Sequence, residues 1–216
     1  MKIIFCLPGK TFSNNFLQSW TSTVMWGVKS GIDFKYNIRQ GSNIYHLRSA
    51  CLGGNILQGK DQVPFQGQID YDYIMWIDSD QTFQPEQIQQ LISRDKDIVS
   101  GLYLMQDCKH FACVEEFDSN YFIKNGYFKF ITPPDIKDKK DLIPVAYNGM
   151  GFMLIKKGVY EKIGYPWFEP ISLTINDDIR DFCSEDASFC IRAAKKGFTV
   201  YADPTVVVAH EKMFLI

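Results

Sequence analysis

The 216 residues carry 46% hydrophobic and 22% charged side chains, which is typical of a globular protein and excludes a disordered tail, a collagen-like rod or a membrane bundle. A formal net charge of −2 gives no basic footprint for nucleic acid. The six cysteines form no Cys-x-x-Cys pair, and the apolar run at residues 3–7 is too short for a signal sequence. We therefore expect free thiols, no membrane span, no nucleic-acid partner and a cytoplasmic location.

The first hundred residues alternate between strand-like and helix-like patterns. Residues 73–77, YIMWI, are continuously apolar, as in a buried strand, and Pro85 stands where proline favours the first turn of a helix. This alternation predicts a mainly parallel sheet covered by helices. The predicted strands are 3–7, 34–38, 73–77 and 97–104, and the predicted helices are 13–29, 43–57 and one from Pro85 onward.

The second half predicts shorter and more irregular elements. Asn125-Gly126 lies between two β-like runs, 121–123 and 127–131, and predicts a hairpin. Ser184 is the predicted N-cap of a helix that runs to Lys196. The other predicted elements are strands at 143–147, 152–155, 198–202 and 206–209, a helix at 157–163, and irregular segments at 132–141 and 171–182.

Two aspartates follow the most apolar predicted strand, in the motif Asp78-Ser79-Asp80. Carboxylates two residues apart in an extended chain point the same way, and open α/β sheets bind ligands beyond the carboxyl ends of their strands. Two such oxygens suit Mg²⁺ or Mn²⁺, which would neutralise a diphosphate leaving group. A polar turn after a strand is the alternative interpretation of this motif taken alone.

An acidic pair and a histidine later in the chain could belong to the same site. Glu185-Asp186 opens the predicted helix, where acids also stabilise the helix dipole. Ala187 stands where a capping box would need Glu or Gln, so that structural explanation does not apply. His210 follows an apolar strand, and its nitrogen would suit Mn²⁺ beside two aspartates, although a surface hydrogen-bonding role is the simpler alternative.

Taken together and in order, these segments resemble the metal-dependent glycosyltransferases of the GT-A fold, close to family 2. The resemblance implies a Rossmann-like, mainly parallel sheet flanked by helices and fused to a smaller mixed β-rich acceptor region. Residues 1–216 would be one catalytic domain, with nucleotide-sugar binding in 1–105 and acceptor binding and catalysis in 106–216. The segments that carry it are Pro8, Arg48, YIMWIDSDQTFQPEQIQQLI, IVSGLY, NGMGFMLIKKGVYEKIG, SEDASFCIRAAKKGFTVYADP and His210.

The resemblance also implies roles for individual residues. Asp78, Asp80 and His210 would hold Mn²⁺ or Mg²⁺, and Asp186 would be the catalytic base of an inverting reaction, with Glu185 holding the acceptor. The donor would be a UDP- or GDP-sugar, and the acceptor a glycan or another hydroxyl compound that receives a hexose. Residues implied to line the nucleotide sugar are Pro8, Arg48, Asp78, Ser79, Gly149, Met150 and Gly151.

Three further interpretations concern specific parts of the chain. An aromatic face suits the C–H edges of a sugar, so Trp167 is a candidate acceptor platform, with a core position as its alternative. Residues 38–43, IRQGSN, lack the carboxylate with which many family 2 enzymes read the base, so the nucleotide stays open. The chain continues for only six residues after His210, which we interpret as a minimal catalytic domain.

Other functions use some of the same residues. A haloacid-dehalogenase-type phosphatase would use Asp78 as its nucleophile, but its motif usually lies near the domain start, and Glu185, Asp186 and His210 would have no role. A sugar-nucleotide pyrophosphorylase would need a glycine-rich basic loop after the first strand, and residues 7–11 are a poor match. A non-catalytic nucleotide- or glycan-binding module would need no base such as Asp186.

Overall fold

The computed structural model describes residues 1–212, in which helices pack on both faces of a seven-stranded sheet. The helices are α1 (Asn14–Lys29), α2 (Ile44–Cys51), α3 (Pro85–Ser93), α4 (Ser119–Asn125), α5 (Pro133–Ile136), α6 (Val159–Ile163) and α7 (Glu185–Lys195), with 3₁₀ turns at Ile56–Gln58 and Pro64–Gly67. The strands are β1 (Lys2–Pro8), β2 (Asp33–Arg39), β3 (Tyr73–Ile77), β4 (Gln81–Thr82), β5 (Ile98–Leu102), β6 (Cys113–Val114), β7 (Ile143–Val145), β8 (Tyr147–Asn148), β9 (Phe152–Lys156), β10 (Ser172–Thr174), β11 (Arg180–Phe182), β12 (Val200–Val207) and β13 (Ala209–His210).

The central sheet is mixed but mainly parallel. Its strand order is β2-β1-β3-β9-β5-β12-β7. Strands β2, β1, β3, β5 and β12 run in one direction, whereas β7 and β9 run antiparallel to their neighbours. Strand β9 lies between β3 and β5, so a strand from the second half of the chain completes the centre of the sheet.

Burial on both faces of the sheet explains the continuous apolar runs. In β3, Ile74 and Trp76 belong to one core with α2, α6 and α7, whereas Met75 and Ile77 belong to the other core with α1 and α3. A strand covered on both sides has no position for a polar side chain, which is why YIMWI does not alternate. The predicted α/β fold class, a mainly parallel sheet flanked by helices, is therefore confirmed.

The predicted hairpin around Asn125-Gly126 is wrong. Residues 119–125 form α4, with the Asp118 side chain accepting a hydrogen bond from the Tyr121 N–H at 3.0 Å. Gly126 ends this helix in the left-handed region, at φ +79°. Asn-Gly satisfies the same conformational need at a helix C-terminus as in a hairpin turn, because glycine adopts positive φ without strain.

Several other element boundaries differ from the predictions. The helix expected over 43–57 ends at Cys51, and the irregular segment 171–182 contains the antiparallel pair β10–β11. The two strands expected at 198–202 and 206–209 are joined into β12, which has an irregular register after Ala202. No helix described for residues 1–212 is both long and apolar enough to cross a lipid bilayer.

The irregular part of β12 contains a buried carboxylate, Asp203, that pairs with the partly buried Arg94. Asp203 is fully buried and accepts hydrogen bonds from Arg94 Nε at 2.7 Å and from the Thr205 hydroxyl at 2.6 Å. Burial alone would raise the pKa of Asp203, but these donors lower it. The ion pair thus connects the C-cap residue of α3 to β12.

Replacing Asp203 by Ala should lower the free energy of unfolding by about 2–4 kcal/mol, because it leaves the Arg94 and Thr205 donors without their acceptor. Urea denaturation followed by circular dichroism measures this loss. Asp61→Ala is the control, since the Lys60–Asp61 pair is highly exposed and should contribute little. Equal stability of the two variants would contradict a structural role for Asp203.

Candidate functional site

The carboxyl end of β3 and the N-terminus of α7 form one polar cluster. Asp78 directly follows β3, and its backbone N–H donates to the Gly151 carbonyl at 2.9 Å. The short pair β4–β13 sets His210 opposite Gln81, which brings the histidine next to Asp80. The predicted metal ligands and the predicted acidic pair therefore occupy the same edge of the sheet, as the strand order requires.

Arg48 connects the two acidic groups. Its Nη1 and Nη2 donate to the two carboxylate oxygens of Asp78 at 3.0 and 3.1 Å, and its Nε donates to Glu185 Oε1 at 2.9 Å. The guanidinium also lies 5.3 Å from the ring centroid of Trp76. A planar fork that fills both oxygens of one carboxylate holds that carboxylate in a fixed orientation.

Two of the three residues of this ion network are almost completely withdrawn from water, whereas the Asp78 side chain is 27% exposed. Arg48 is 2% exposed and Glu185 is 7% exposed. Burial alone would lower the pKa of Arg48, but the charges of Asp78 and Glu185 raise it, so Arg48 stays cationic. Burial and the neighbouring Asp186 charge raise the pKa of Glu185 against the opposing effect of Arg48. Arg48 is therefore engaged by protein carboxylates, and its implied contact with the donor remains a prediction.

Asp80 and His210 form the second part of the site. His210 Nε2 lies 3.0 Å from Asp80 Oδ2, and Lys212 Nζ donates to the same oxygen at 2.7 Å. Burial would raise the pKa of Asp80, but the hydrogen bonds from His210 and Lys212 lower it to about 2. Asp80 is therefore a carboxylate throughout the neutral range.

The environment of His210 fits a metal ligand. Its Nδ1 lies 2.7 Å from the Leu104 carbonyl oxygen, which can only accept, so Nδ1 carries a proton. Nε2 faces the Asp80 carboxylate oxygen at 3.0 Å, so a proton or a cation must lie between these two atoms. A backbone carbonyl that fixes the tautomer is the usual support of a metal-binding histidine.

The donor types therefore fit Mn²⁺ or Mg²⁺, although the three predicted ligands are not gathered around one point. Within residues 1–212, no three His, Cys, Asp or Glu side chains form a group that could hold a metal ion. Asp80 and His210 are adjacent, whereas Asp78 is held by Arg48. The ligand set Asp78, Asp80 and His210 stays a prediction.

Asp186 is held by neutral hydrogen-bond donors, unlike the other acids of the site. The Tyr147 hydroxyl donates to Asp186 Oδ2 at 3.2 Å, and the Ser184 hydroxyl donates to Oδ1. Burial and the negative charge of Asp186 raise the pKa of Tyr147 well above its usual value, so this tyrosine stays a proton donor. Asp186 is partly exposed, whereas Glu185 is buried.

The glycine turn after β8 packs closely against Tyr103. A Cβ atom at Gly149 would overlap the Tyr103 hydroxyl, which accepts a hydrogen bond from the Gly151 N–H at 3.1 Å. Met150 is fully buried in the core. Gln81 lies against this turn, and both polar atoms of its buried side chain lack a hydrogen-bond partner among residues 1–212. The turn is thus tightly constrained, and its implied contact with the donor sugar stays a prediction.

The remaining predicted site residues have different surroundings. Ser79 lies under the first loop, where a Cβ atom at Gly9 would meet the Ser79 Cβ, and Pro8 is the last residue of β1. Trp167 is fully buried and packs edge-on against Tyr165. Its ring has no face open to a sugar, so the core alternative describes Trp167 and the stacking hypothesis is not supported.

Several side chains that act on the predicted site residues lie outside the predicted set. Tyr147 and Ser184 orient Asp186, Lys212 contacts Asp80, and Tyr103 lies 5.0 Å from the His210 ring, centroid to centroid. Ser184 was predicted as a helix cap only, and its hydroxyl donates to Asp186 instead. Tyr103 could have been suspected, because it directly follows β5 at the same edge of the sheet as Asp78.

Comparisons with known proteins bear on the fold. No protein-family model matches the sequence, and no curated protein matches it. GalNAc-T7, solved with UDP, GalNAc and Mn²⁺, has a TM-score of 0.51 and 9% identity over 97% of this chain. The chain spans 43% of the GalNAc-T7 chain, less than half of its length.

A second solved protein has the same architecture. The catalytic domain of Drosophila β1,4-galactosyltransferase 7 with xylobiose has a TM-score of 0.52 and 12% identity, covering 98% of this chain and 71% of that one. A variant of that enzyme with manganese, UDP-Gal and xylobiose has a TM-score of 0.51 and 13% identity, with the same coverage of 98% and 71%. Likeness at such low identity shows the fold. This chain therefore has the fold known as GT-A, as its sequence resemblance implied.

Proposed function

We propose that this chain is a glycosyltransferase that moves a hexose from a nucleoside-diphosphate sugar to an acceptor hydroxyl. The observation that carries the proposal is that Arg48 joins Asp78, in the same motif as the Asp80–His210 pair, to Glu185 at the start of the helix that carries Asp186, within a GT-A fold. The two parts of the site have different chemistry. The Asp80–His210 pair offers a carboxylate and an imidazole as ligands for a cation. Asp186 offers a partly exposed carboxylate that accepts hydrogen bonds from neutral hydroxyl groups.

Asp78, Asp80 and His210 would hold the metal on the donor side. A bound Mn²⁺ or Mg²⁺ would supply positive charge to the departing nucleoside diphosphate. Mn²⁺ is the first ion to test, because both similar glycosyltransferases were solved with it. In this proposal Arg48 holds Asp78 in one orientation rather than clamping the diphosphate, since its guanidinium already donates to two carboxylates.

Asp186 would act on the acceptor side as the catalytic base. Its carboxylate would take the proton of the attacking hydroxyl, and attack opposite to the leaving group would invert the anomeric centre. Tyr147 and Ser184 would fix the position of that carboxylate. Glu185 keeps one carboxylate oxygen that Arg48 does not use, with which it could hold the acceptor.

Donor, acceptor and location are narrower parts of the proposal. UDP is the first nucleotide to test, because the similar enzymes were solved with UDP or UDP-Gal, and GDP-sugars stay open. A glycan or another hydroxyl compound is the proposed acceptor. The cytoplasmic location remains a prediction, and the one-domain division into residues 1–105 and 106–216 remains part of the proposal.

Nucleotide binding by the Asp80→Asn variant tests this function. Wild-type protein should bind UDP or GDP in isothermal titration calorimetry with Mn²⁺ and lose this binding with EDTA. Asp80→Asn should weaken the Mn²⁺-dependent binding by about tenfold or more, since it removes a charged metal ligand. Asp61→Asn, at an exposed position, is the matched control and should bind like the wild type.

Two outcomes would contradict the proposal. Nucleotide binding that is unaffected by EDTA would reject the metal-dependent part. Hydrolysis of a generic aryl phosphate that is lost in Asp78→Asn, without nucleotide binding, would favour the phosphatase alternative. The structure argues against that alternative, because both carboxylate oxygens of Asp78 accept hydrogen bonds from Arg48, which disfavours Asp78 as a nucleophile.

A further inference from the structure

A cavity of about 190 Å³ lies beside the proposed catalytic base. Apolar side chains from α4, its flanking loops and the β10–β11 hairpin line it, together with Tyr147, Asp181, Ser184 and Ala187. We call it the aromatic cavity and define its apolar wall by Phe117, Phe122, Phe128, Phe130, Leu173 and Phe182.

The aromatic cavity is adjacent to Asp186. Tyr147 lines the cavity and donates to Asp186 Oδ2 at 3.2 Å. Ser184 also lines the cavity and donates to Asp186 Oδ1. A molecule in the cavity would therefore contact Tyr147 and Ser184, and these two side chains in turn contact the Asp186 carboxylate.

The lining favours an aromatic ring over a sugar ring. The hydroxyls of Tyr147 and Ser184 are already engaged by Asp186. Among residues 1–212, the other polar side chains of the lining are the Asp181 carboxylate and the Cys183 thiol, which are too few to pair with a ring of sugar hydroxyls. Burying such hydroxyls without partners costs free energy. Phe128 already packs with Phe117 and Phe122, with ring centroids 5.0 and 4.8 Å apart, and further aromatic packing of this kind is favourable.

The size of the cavity fits one ring. A buried apolar cavity of about 150 Å³ can hold benzene, so 190 Å³ leaves room for one six-membered ring and a short substituent. Phe182 is 69% exposed, which keeps part of the apolar wall open to an entering group. The aromatic cavity is thus large enough and open enough for a substituent on an acceptor.

We propose that the aromatic cavity binds an aryl group of the acceptor, attached next to the hydroxyl that Asp186 deprotonates. The proposal rests on the proposed function, because it presumes that the acceptor hydroxyl lies at Asp186. It narrows the acceptor class to hydroxyl compounds with an aromatic substituent. Selection then comes from the apolar wall, and the carboxylate of Asp186 contacts only the hydroxyl.

Binding of benzyl alcohol to the whole chain, without nucleotide or metal, tests this proposal by ligand-observed NMR. Wild-type protein should show saturable binding. Ala187→Leu fills the cavity and should weaken binding by about tenfold, and Phe182→Ala removes one wall and should weaken it by about threefold. Ala194→Leu, on an exposed position of the same helix, is the matched control and should bind like the wild type.

Several outcomes would contradict the proposal that the aromatic cavity binds an aryl group, and they can be told apart. Equal binding by Ala187→Leu and Ala194→Leu, or no saturable binding by the wild type, would overturn the proposal. Displacement of benzyl alcohol by an equal concentration of methyl β-D-glucoside would assign the cavity to a sugar. If Ala187→Leu does not fold, the exposed Phe182→Ala variant decides. If the wild type shows no Mn²⁺-dependent nucleotide binding, the proposed function is rejected. The benzyl alcohol result still stands in that case, because the NMR measurement uses neither Mn²⁺ nor nucleotide.

Discussion

Replacing Asp186 by Asn should lower kcat by about 10²- to 10⁴-fold while leaving the Kd of the nucleoside diphosphate unchanged. The amide has the shape of the carboxylate and keeps an oxygen for the Tyr147 hydroxyl, but it cannot take a proton from the acceptor. Steady-state transfer assays with the nucleotide identified by calorimetry give kcat, and calorimetry on the same protein gives Kd.

Asp178→Asn is the matched control, because Asp178 is an exposed acid in the loop between β10 and β11. It should leave kcat unchanged. Normal turnover by Asp186→Asn would show that the base assignment is wrong, and Glu185→Gln would then be the next variant to measure. A parallel loss of nucleotide binding would instead indicate that Asp186 supports the donor side.

Replacing Arg48 by Met should lower the free energy of unfolding by about 3–5 kcal/mol, which is the cost of breaking a buried ion pair by removing one partner. Methionine keeps much of the side-chain volume, but Asp78 and Glu185 lose their shared cation. Glu185 is 7% exposed, so water cannot readily replace the lost hydrogen bond. Chemical denaturation followed by tryptophan fluorescence measures the change.

The effect of Arg48→Met should depend on pH. Burial and Asp186 already raise the pKa of Glu185, and loss of Arg48 should raise it further. A carboxyl group whose pKa is raised by folding stabilises the protein at low pH, and this contribution is lost as pH rises through the raised value. The deficit of Arg48→Met should therefore be smaller at about pH 5 than at about pH 8.

Two controls separate charge from packing. Arg39→Met removes an exposed arginine and should leave stability nearly unchanged. Adding Glu185→Gln to Arg48→Met should recover part of the lost stability, because the buried carboxylate is then neutral. A pH-independent deficit that Glu185→Gln does not relieve would assign the role of Arg48 to packing against Trp76.

Local sequence signals predicted the elements that carry the site. The apolar run of β3 ends where Asp78 begins, and Ser184 stands directly before α7, as expected. Each of these features depends on residues that are close together in the sequence. The hydrophobic pattern and the residue preferences at helix ends are therefore enough to predict them. The clustering of strand ends at one sheet edge then follows from the α/β fold class.

Other features of the site depend on tertiary contacts between residues that are far apart in the sequence. Arg48 lies 30 residues before Asp78 and 137 residues before Glu185, so its burial between them could not be predicted from spacing. The sequence around Trp167 is compatible with a surface position and with a core position. Its burial is set by tertiary packing, which local sequence does not reveal. The hairpin prediction at Asn125-Gly126 was wrong for a different reason. A helix C-terminus and a hairpin turn both need a residue with positive φ at Gly126, so the sequence does not distinguish them.

The central position of β9 has a consequence for synthesis of the chain. Strands β3 and β5 pair with β9 and not with each other, so both keep an unpaired edge until residues 152–156 leave the ribosome. Exposed edges of such apolar strands are templates for intermolecular pairing, and non-local pairings form slowly. The nascent chain therefore passes through a long aggregation-prone stage, and a fragment that stops before β9 should precipitate rather than fold.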